Sequence, residues 1–375
     1  MQELELRQKP LGGGADESAR ATISTQRLAG APSLVLVRGA WDALDALQET
    51  PMQERLWTES WLLASGAADR LRVLVSTAAA ASPAIAAFVL HGGLAPSLVP
   101  AGAIELGEPV DLSRGTAATL GALCRALARE PYPVHLPRML ATSPTIPALR
   151  EAYRRRGVVR VGPAKPYPFV PLDASWVEPE RHLSSRRRQD LRRAERHAER
   201  VGKVSYSFLA PSAEEAPVVL DEAFRVEAAG WKGRERTAMT CDPVVGSFFR
   251  TYALGAARRG ALRVALLHIG GRAAAMQLAV LRDGRYWLLK IGYDEAFAHA
   301  SPGILLLRES LRRAAEQRLS SYEFLGGVAP WIKPWTSEER ATVSLSAYPM
   351  SLASASALSS RAAARVIREL RSRFS

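Results

Sequence analysis

Three apolar runs joined by two tight-turn pairs constrain the fold of this chain more than any other feature. The runs, LRVALLHI, AAAMQLAVL and RYWLLKIG, lie within residues 262–292, and their connectors are Gly270-Gly271 and Asp283-Gly284. Two-residue hairpins need positive φ at the central residues, which Gly and Asp adopt more readily than most residues. The pattern therefore predicts an antiparallel three-stranded meander.

The elements around this meander predict a mixed α/β sheet with helices on both faces. In chain order they are a strand at 203–209, helices at about 212–229 and 243–259, the meander, a helix from Pro302 to about Gln317, and strands at 322–325 and 341–348. The step from the third meander strand through the helix to the next strand is a crossover connection. Mixed sheets covered by helices accommodate this order.

The first half of the chain predicts a second domain of the same class. Its predicted strands are 33–38, 71–76, 84–91, 134–136, 158–161 and 167–172, and its predicted helices are 54–65, 116–129 and 146–156. A length of 375 residues favours two domains. With the Pro-rich stretch 162–179 as the boundary, we predict a flexible leader at 1–31, domains at 32–175 and 176–350, and a basic tail helix at 351–375.

The positive charge is concentrated in two segments. Residues 181–200 and 350–375 carry +9 of the formal net charge of +13, so the rest of the chain is close to neutral. The first segment contains no aromatic side chain that could stack on bases, which favours a small-molecule partner over nucleic acid. The tail is expected to pack on the last domain, with weak peripheral membrane contact as the alternative.

The arginine-rich segment predicts an amphipathic helix with a narrow apolar stripe. Leu183, Leu191, Ala194 and Ala198 fall at helical spacing. Arg187 falls on the same stripe, and a cation on the buried side would need an anionic partner.

The start of the helix at Pro302 is a candidate anion site. Ser301 is expected to cap the helix, Pro302 fits its first position, and Gly303 leaves the first backbone N–H groups open. Exposed N–H groups and the helix dipole together favour phosphate. The alternative interpretation is an ordinary, well-capped helix that binds no ligand.

Two further segments carry candidate functional side chains. In YEFLGGVAPWIKPW, Lys333 lies between Trp331 and Trp335, and only six of the chain's 50 basic residues are lysines. In RVEAAGWKG, the residues Glu227, Trp231 and Lys232 fall at the end of a predicted helix, where a charged loop can bind substrate. The simpler interpretation of the first segment is a surface lysine beside packed aromatic residues. The simpler interpretation of the second is an ordinary helix end.

The motifs that the sequence lacks argue against several classes of protein. It contains no Walker loop, no Gly-x-Ser-x-Gly elbow and no Gly-x-Gly-x-x-Gly loop, which disfavours P-loop NTPases, α/β-type serine hydrolases and dinucleotide oxidoreductases. It also contains no His-based zinc pattern, so no metal is expected. Its two cysteines, Cys124 and Cys241, lie too far apart in sequence to suggest a framework of disulfides. With neither a signal-peptide pattern nor a run of about 18 apolar residues, a cytoplasmic protein is expected.

The second half resembles a known family. GYDEAFAHASPGILLL, YEFLGG and WIKPW, preceded by LSSRRRQDLRRAERHAERVGKV and EAAGWKG, are similar to the GNAT-type acetyltransferase domain of CelD/BcsL-like proteins, also called BioF2-like. The resemblance covers about residues 180–335. It implies two GNAT-like domains in tandem, the first degenerate, and an acyltransferase that moves an acyl group from acetyl-CoA or another acyl-CoA to an amine. The acceptor, a small molecule or a glycan amine, stays open.

The resemblance also implies roles for individual residues. The strand containing Leu289 and Lys290 would pair with the pantetheine arm, and Ser301, Gly303 and Ile304 would hold the pyrophosphate. The acceptor side would be lined by Arg187, Glu227, Trp231, Lys232, Tyr293 and Trp335. The candidate general bases are Asp294, Glu323 and Glu227, in that order. Lys333 or the backbone N–H groups near Leu289 and Lys290 would stabilise the oxyanion.

Two alternatives to an acyl-CoA-dependent enzyme stay open from the sequence. A Fem-type transferase shares the double fold but takes aminoacyl-tRNA as donor, and the basic segment at 181–200 is compatible with it. A non-catalytic module on a GNAT scaffold is the other. The Arg/Gln-x-x-Gly-x-Gly/Ala loop of typical GNAT domains is absent from this chain.

Overall fold

Residues 23–93, 95–104, 106–230, 238–351 and 354 are described by a computed structural model. The helices are α1 Pro32–Asp42, α2 Arg55–Ser65, α3 Ala117–Leu127, α4 Thr145–Tyr153, α5 Ser185–Val201, α6 Ala216–Ala228, α7 Pro243–Arg258 and α8 Pro302–Glu316. The strands are β1 Ser24–Ala29, β2 Leu71–Ala78, β3 Ala81–His91, β4 Ser97–Pro100, β5 Val134–Leu140, β6 Gly157–Pro163, β7 Tyr167–Pro171, β8 Val204–Leu209, β9 Leu262–Ile269, β10 Arg272–Arg282, β11 Arg285–Tyr293, β12 Ser321–Glu323, β13 Glu339–Arg340 and β14 Thr342–Pro349.

These strands form two mixed, mostly antiparallel sheets of seven strands each. The first sheet has the order β1-β2-β3-β4-β5-β14-β6 and the second has the order β13-β7-β12-β11-β10-β9-β8. Helices cover both faces of the second sheet: α6 and α7 pack on Val264 and Leu266, while α5 and α8 pack on Ala265 and Leu267. These four residues are consecutive in β9 and point alternately to the two faces, so β9 is buried on both sides.

The meander is confirmed. Strands β9, β10 and β11 pair antiparallel, and both connectors have positive φ at their central residues: 58° and 80° at Gly270 and Gly271, and 49° and 63° at Asp283 and Gly284. The crossover is confirmed as well, because β12 pairs parallel to β11 after α8.

The two sheets exchange strands at their boundary. β7 precedes the second half in sequence but pairs with β12 in the second sheet, and β14 returns from the second half to lie between β5 and β6. The domain bounds at 175/176 and 350 stay a prediction. The chain therefore enters the second sheet at β7 and returns to the first sheet at β14.

Two elements near the start of the chain differ from the prediction. Residues 33–38, predicted as a strand, lie in α1, because Ser33, Val37 and Trp41 are the buried positions and recur every four residues. Residues 24–29, assigned to a flexible leader, form β1 and pair with β2. Residues 1–22 of the leader, and residues 352–353 and 355–375 of the predicted tail helix, lie outside the described residues.

One continuous core joins the two halves. Trp57 of α2 is fully buried and makes edge-on ring contacts with Phe248 and Tyr252 of α7, at centroid distances of 4.8 and 5.1 Å. Within the described ranges, no helix combines the length and apolarity that crossing a membrane demands.

Candidate active site

The edge of β11 is open where the sheet splays apart. β12 pairs with β11 only across Arg285–Trp287, and no other described strand pairs with that edge of β11 toward Tyr293. On the opposite edge, the register with β10 passes from Leu288 to Lys290 and skips Leu289, so β11 has a bulge there. Bulges re-aim side chains and interrupt pairing, and they are frequent next to active sites.

An apolar groove of about 400 Å³ lies beside this open edge. Ile291 and Tyr293 of β11 form one wall, Gly303, Ile304 and Leu307 of α8 form the other, and Trp331 closes one end. An extended ligand with amide groups could add to the strand edge while its apolar parts fill the groove.

The start of α8 forms one end of the groove, but Ser301 does not cap it with its side chain. Ser301 has left-handed backbone angles, φ 47° and ψ 49°, and its side chain makes no capping hydrogen bond. The expected side-chain cap is therefore wrong. Instead, the Ser301 carbonyl accepts from the amides of Ile304 and Leu305, at 3.0 and 3.3 Å.

Replacing Ser301 with glycine should raise the free energy of unfolding by about 0.5–1 kcal/mol. A non-glycine residue in the left-handed region carries a strain that glycine avoids. Urea denaturation measures the effect. A side-chain cap would give the opposite sign, a loss of stability of roughly a few tenths of a kcal/mol.

A second groove, basic and about 610 Å³ in volume, adjoins the first. The two grooves share Ser301, Ile304 and Trp331. The side chains that give the second groove its charge and polarity are Arg186, Arg187, Arg193, Asp190, His197 and His299. The pKa of His197 is lowered by desolvation and by the nearby Arg200 guanidinium, which disfavours a second positive charge.

Arg187 is exposed, contrary to its expected place on the apolar stripe. Its side chain is 56% exposed and pairs with Asp190 at 3.8 Å. The stripe itself is confirmed, since Leu191, Ala194 and Ala198 are buried against the second sheet. The long arginine side chain extends away from the helix, so spacing alone overestimated its burial.

The opposite face of β11 is charged. The bulge places Leu289 and Lys290 on the same face: Leu289 joins the core that contains Phe249, and the Lys290 ammonium lies 4.4 Å from the centre of the Phe249 ring. On this face Glu227 packs against Gly292, where an added Cβ would come within 2.6 Å of the Glu227 Cα. The Glu227 carboxylate accepts a hydrogen bond of 2.8 Å from the Met239 amide.

The other two candidate general bases are engaged in structural contacts. Asp294 accepts from the Ala296 amide at 2.9 Å and from Arg272 at 3.1 Å. Glu323 is fully buried and accepts from Ser321 and from Arg340, at 2.6 and 2.8 Å. Their catalytic roles stay predictions.

The remaining predicted residues are distributed over three places. Trp335 is buried beside the basic groove, whereas Lys333 is exposed next to it and lines neither groove. Trp231 and Lys232 lie outside the described residues. The structure thus brings together Tyr293, Ser301, Gly303 and Ile304, and separates them from Glu323 and Lys333.

Several residues of the site escaped the sequence analysis. His197 and His299 face each other across the basic groove with ring centroids 6.3 Å apart, although they lie in different elements. Glu108 belongs to the first half and approaches Lys290 of the second. No local motif marks any of these residues, because only the tertiary fold brings them together.

Comparisons with known proteins identify the fold. Residues 185–333 match the family model described as Acetyltransferase (GNAT) domain. No curated protein matches the chain by sequence. The elements β8, α6, α7, the meander, α8 and β12 all lie within the segment that matches this model, and the predicted fold class is confirmed.

Solved structures of similar fold cover nearly the whole chain. FemX shares 11% identity at a TM-score of 0.55, covering 87% of this chain and 97% of FemX. A C-terminal domain from Agrobacterium fabrum, assigned to a lysylphosphatidylglycerol synthetase, shares 12% at a TM-score of 0.54, with 86% and 93% covered. A conserved protein of unknown function from Bacteroides thetaiotaomicron VPI-5482 shares 13% at 0.50, with 84% and 97% covered. At these identities the likeness shows a shared fold.

Proposed function

We propose that this chain is an acyl-CoA-dependent N-acyltransferase of the CelD/BcsL-like kind, acting on an amine of a small molecule or a glycan. The observation that carries the proposal is the apolar groove between the open edge of β11 and the start of α8, which continues into a basic groove. A long ligand with an apolar arm and a phosphorylated end matches these two grooves in order. Acyl-CoA has that construction.

The donor would be held in three parts. Its pantetheine arm would pair with the edge of β11 and lie against Ile291 and Tyr293. Its pyrophosphate would meet the Gly303 amide, which precedes the first bonded amide of α8 and is favoured by the helix dipole. The phosphorylated nucleotide would lie among the arginines of α5.

The chemistry would occur at the bulge. Leu289 has no partner residue on β10, so a backbone N–H at the bulge is a donor for the thioester oxygen as negative charge develops on it. The acceptor amine must lose a proton before it attacks, which costs about 4–5 kcal/mol at neutral pH for an amine with a pKa near 10.4. A carboxylate on the same face as Lys290 would lower that cost.

A thiol-release assay tests the proposal. The purified full-length chain is incubated with acetyl-CoA and longer acyl-CoAs and a panel of amines, and free CoA thiol is measured together with the mass of the acylated amine. We expect amine-dependent thiol release with matching product. Binding of no acyl-CoA, or release with no acylated product for every amine, would overturn the proposal.

An aminoacyl-tRNA donor is the second candidate, favoured by the arginines of α5 and by the shared fold with FemX. Several phosphate contacts would make tRNA binding fall steeply with salt concentration. Filter binding of tRNA between 50 and 200 mM salt, roughly the range where such losses are large, distinguishes the donors. A steep loss would support tRNA, and a flat response would eliminate it.

Removing the 3′-phosphate of the donor should weaken binding through the basic groove. We expect dephospho-CoA to bind about tenfold more weakly than CoA, equivalent to about 1.4 kcal/mol. In the double variant Arg186→Ala/Arg193→Ala, the ratio of the two dissociation constants should shrink to less than threefold. Calorimetric titration of each protein with CoA and with dephospho-CoA measures this ratio. Arg154→Ala combined with Arg156→Ala is the matched control: both are exposed residues just after α4, neither lines the basic groove, and the tenfold difference should remain.

A further inference from the structure

Glu108 is a buried carboxylate with an unpaired oxygen at the junction of the two halves. Its side chain belongs to the segment between β4 and β5, and the residue is only 8% exposed. Its Oε2 is buried and has no hydrogen-bond partner among the residues that the structure describes. A buried charged oxygen without a partner costs stability, so a fold that retains one needs a reason for it.

Two cations from different elements act on this carboxylate: Lys290 of β11 and Arg138 of β5. Burial raises the pKa of Glu108 against the lowering effect of both. Among the described residues, neither cation donates a hydrogen bond to Oε2. The carboxylate is thus held near positive charge but is not neutralised by a bond.

Arg138 joins the two halves of the chain through hydrogen bonds to backbone carbonyls of both. It donates to the carbonyl of Gly107 at 3.0 Å, next to Glu108, and to that of Lys165 at 2.9 Å. It also donates to the carbonyl of Leu325 at 2.9 Å, just beyond the end of β12. These bonds fix the segment that carries Glu108 to the exit of β12, where β12 and β11 splay apart.

Lys290, whose charge acts on the same carboxylate, lies at the bulge of β11. Its neighbour Leu289 is the bulged residue, and both side chains lie on the face opposite the apolar groove. Glu108 is therefore close to the β11 bulge, on the far side of the sheet from the donor groove. A nucleophile that attacks a thioester held at the bulge would approach from this face.

We propose that Glu108 accepts the proton of the acceptor amine, so that the acceptor site is built by both halves of the chain. The inference rests on the proposed function. The ammonium gives one proton to the Glu108 carboxylate, and the amine nitrogen attacks the thioester carbonyl carbon. The C–N bond forms, the C–S bond breaks, and the CoA thiolate takes the second proton from nitrogen. Glu108 then releases its proton to solvent, and the products are amide and CoA thiol.

The substrate class that follows is a primary amine, which is an ammonium ion in neutral solution. Oε2 is an acceptor for one of its N–H groups, and the positive charge of Lys290 disfavours the protonated amine and so favours transfer of its proton to Glu108. A carboxylate whose pKa is raised is also a better proton acceptor from an amine than an ordinary carboxylate.

The test is Glu108→Gln, which keeps the shape and removes the charge. We expect kcat to fall about 100-fold, acetyl-CoA affinity to change less than threefold, and the melting temperature to be no lower than that of the wild type. The acidic limb of the pH profile of kcat/KM, which the raised pKa of Glu108 would produce, should disappear. Glu130→Gln is the matched control: it lies in the same half, pairs with Arg27, and should keep full turnover.

Each other outcome counts against the inference in an identifiable way. Turnover of Glu108→Gln within threefold of the wild type, or loss of turnover with the acidic limb unchanged, would overturn the role of Glu108 and leave the proposed function standing. A lower melting temperature of Glu108→Gln, with turnover reduced only in proportion to the folded fraction, would also assign Glu108 a structural role alone. Failure of the wild-type chain to bind acetyl-CoA or release thiol would instead remove the proposed function, and this inference with it.

Discussion

Replacing Gly303 with phenylalanine is expected to abolish acyl-CoA binding while the protein stays folded. Gly303 lies in the first turn of α8 beside the apolar groove, and its φ is not in the left-handed region. A Cβ built on it meets its first heavy atom, Cδ1 of Tyr293, at 3.9 Å, which is an ordinary contact. The backbone therefore accepts a side chain, and a phenyl ring would occupy the space that the donor needs.

The effect is measured by ligand-induced thermal stabilisation. A ligand that binds only the native state raises the unfolding free energy by about 2.7 kcal/mol at a concentration 100 times its Kd. We expect this stabilisation with acetyl-CoA in the wild type and none in Gly303→Phe. Gly39→Phe is the control, since Gly39 is an exposed helical glycine with nothing within 4 Å of an added Cβ. Retained stabilisation in Gly303→Phe would place the donor elsewhere.

Replacing Trp57 with alanine is expected to lower the unfolding free energy by about 3–5 kcal/mol, as large-to-small changes of buried aromatic residues do. Trp57 is fully buried between the two halves and contacts the rings of Phe248 and Tyr252. No described residue hydrogen-bonds to its Nε1, so the expected loss is one of packing.

Urea denaturation of the full-length chain measures this loss. Leu63→Ala on the same helix is the control: Leu63 is 75% exposed, and its replacement should change the free energy by less than about 0.5 kcal/mol. If Trp57→Ala also unfolds in two separated transitions, the two halves fold as distinct units. A loss below about 1 kcal/mol would contradict the shared core.

The features that the sequence predicted well are those encoded locally. The meander followed from Gly270-Gly271 and Asp283-Gly284, because positive φ at both central positions is a demand that few residues meet. The helix at Pro302 followed from a proline in its first turn and an apolar periodicity. The groove residues Tyr293, Gly303 and Ile304 came together because they flank one short connection.

The features that the sequence missed depend on distant parts of the chain. β14 enters the first sheet about 180 residues after β6, and no local pattern specifies which sheet a strand will join. Ser301 adopts left-handed angles because the preceding turn closes on its amide, a 3.0 Å bond to Ala298, which composition does not reveal. Glu108 became a candidate only when the fold placed it near Lys290, which is far away in sequence.

A calorimetric titration of the full-length wild-type chain with acetyl-CoA tests the central claim most directly. We expect saturable binding of one acetyl-CoA per chain, weakened by the paired Arg186→Ala and Arg193→Ala substitutions because α5 lines the phosphate end of the site. The absence of saturable binding, or binding that ignores both these substitutions and Gly303→Phe, would contradict a donor site between β11 and α8.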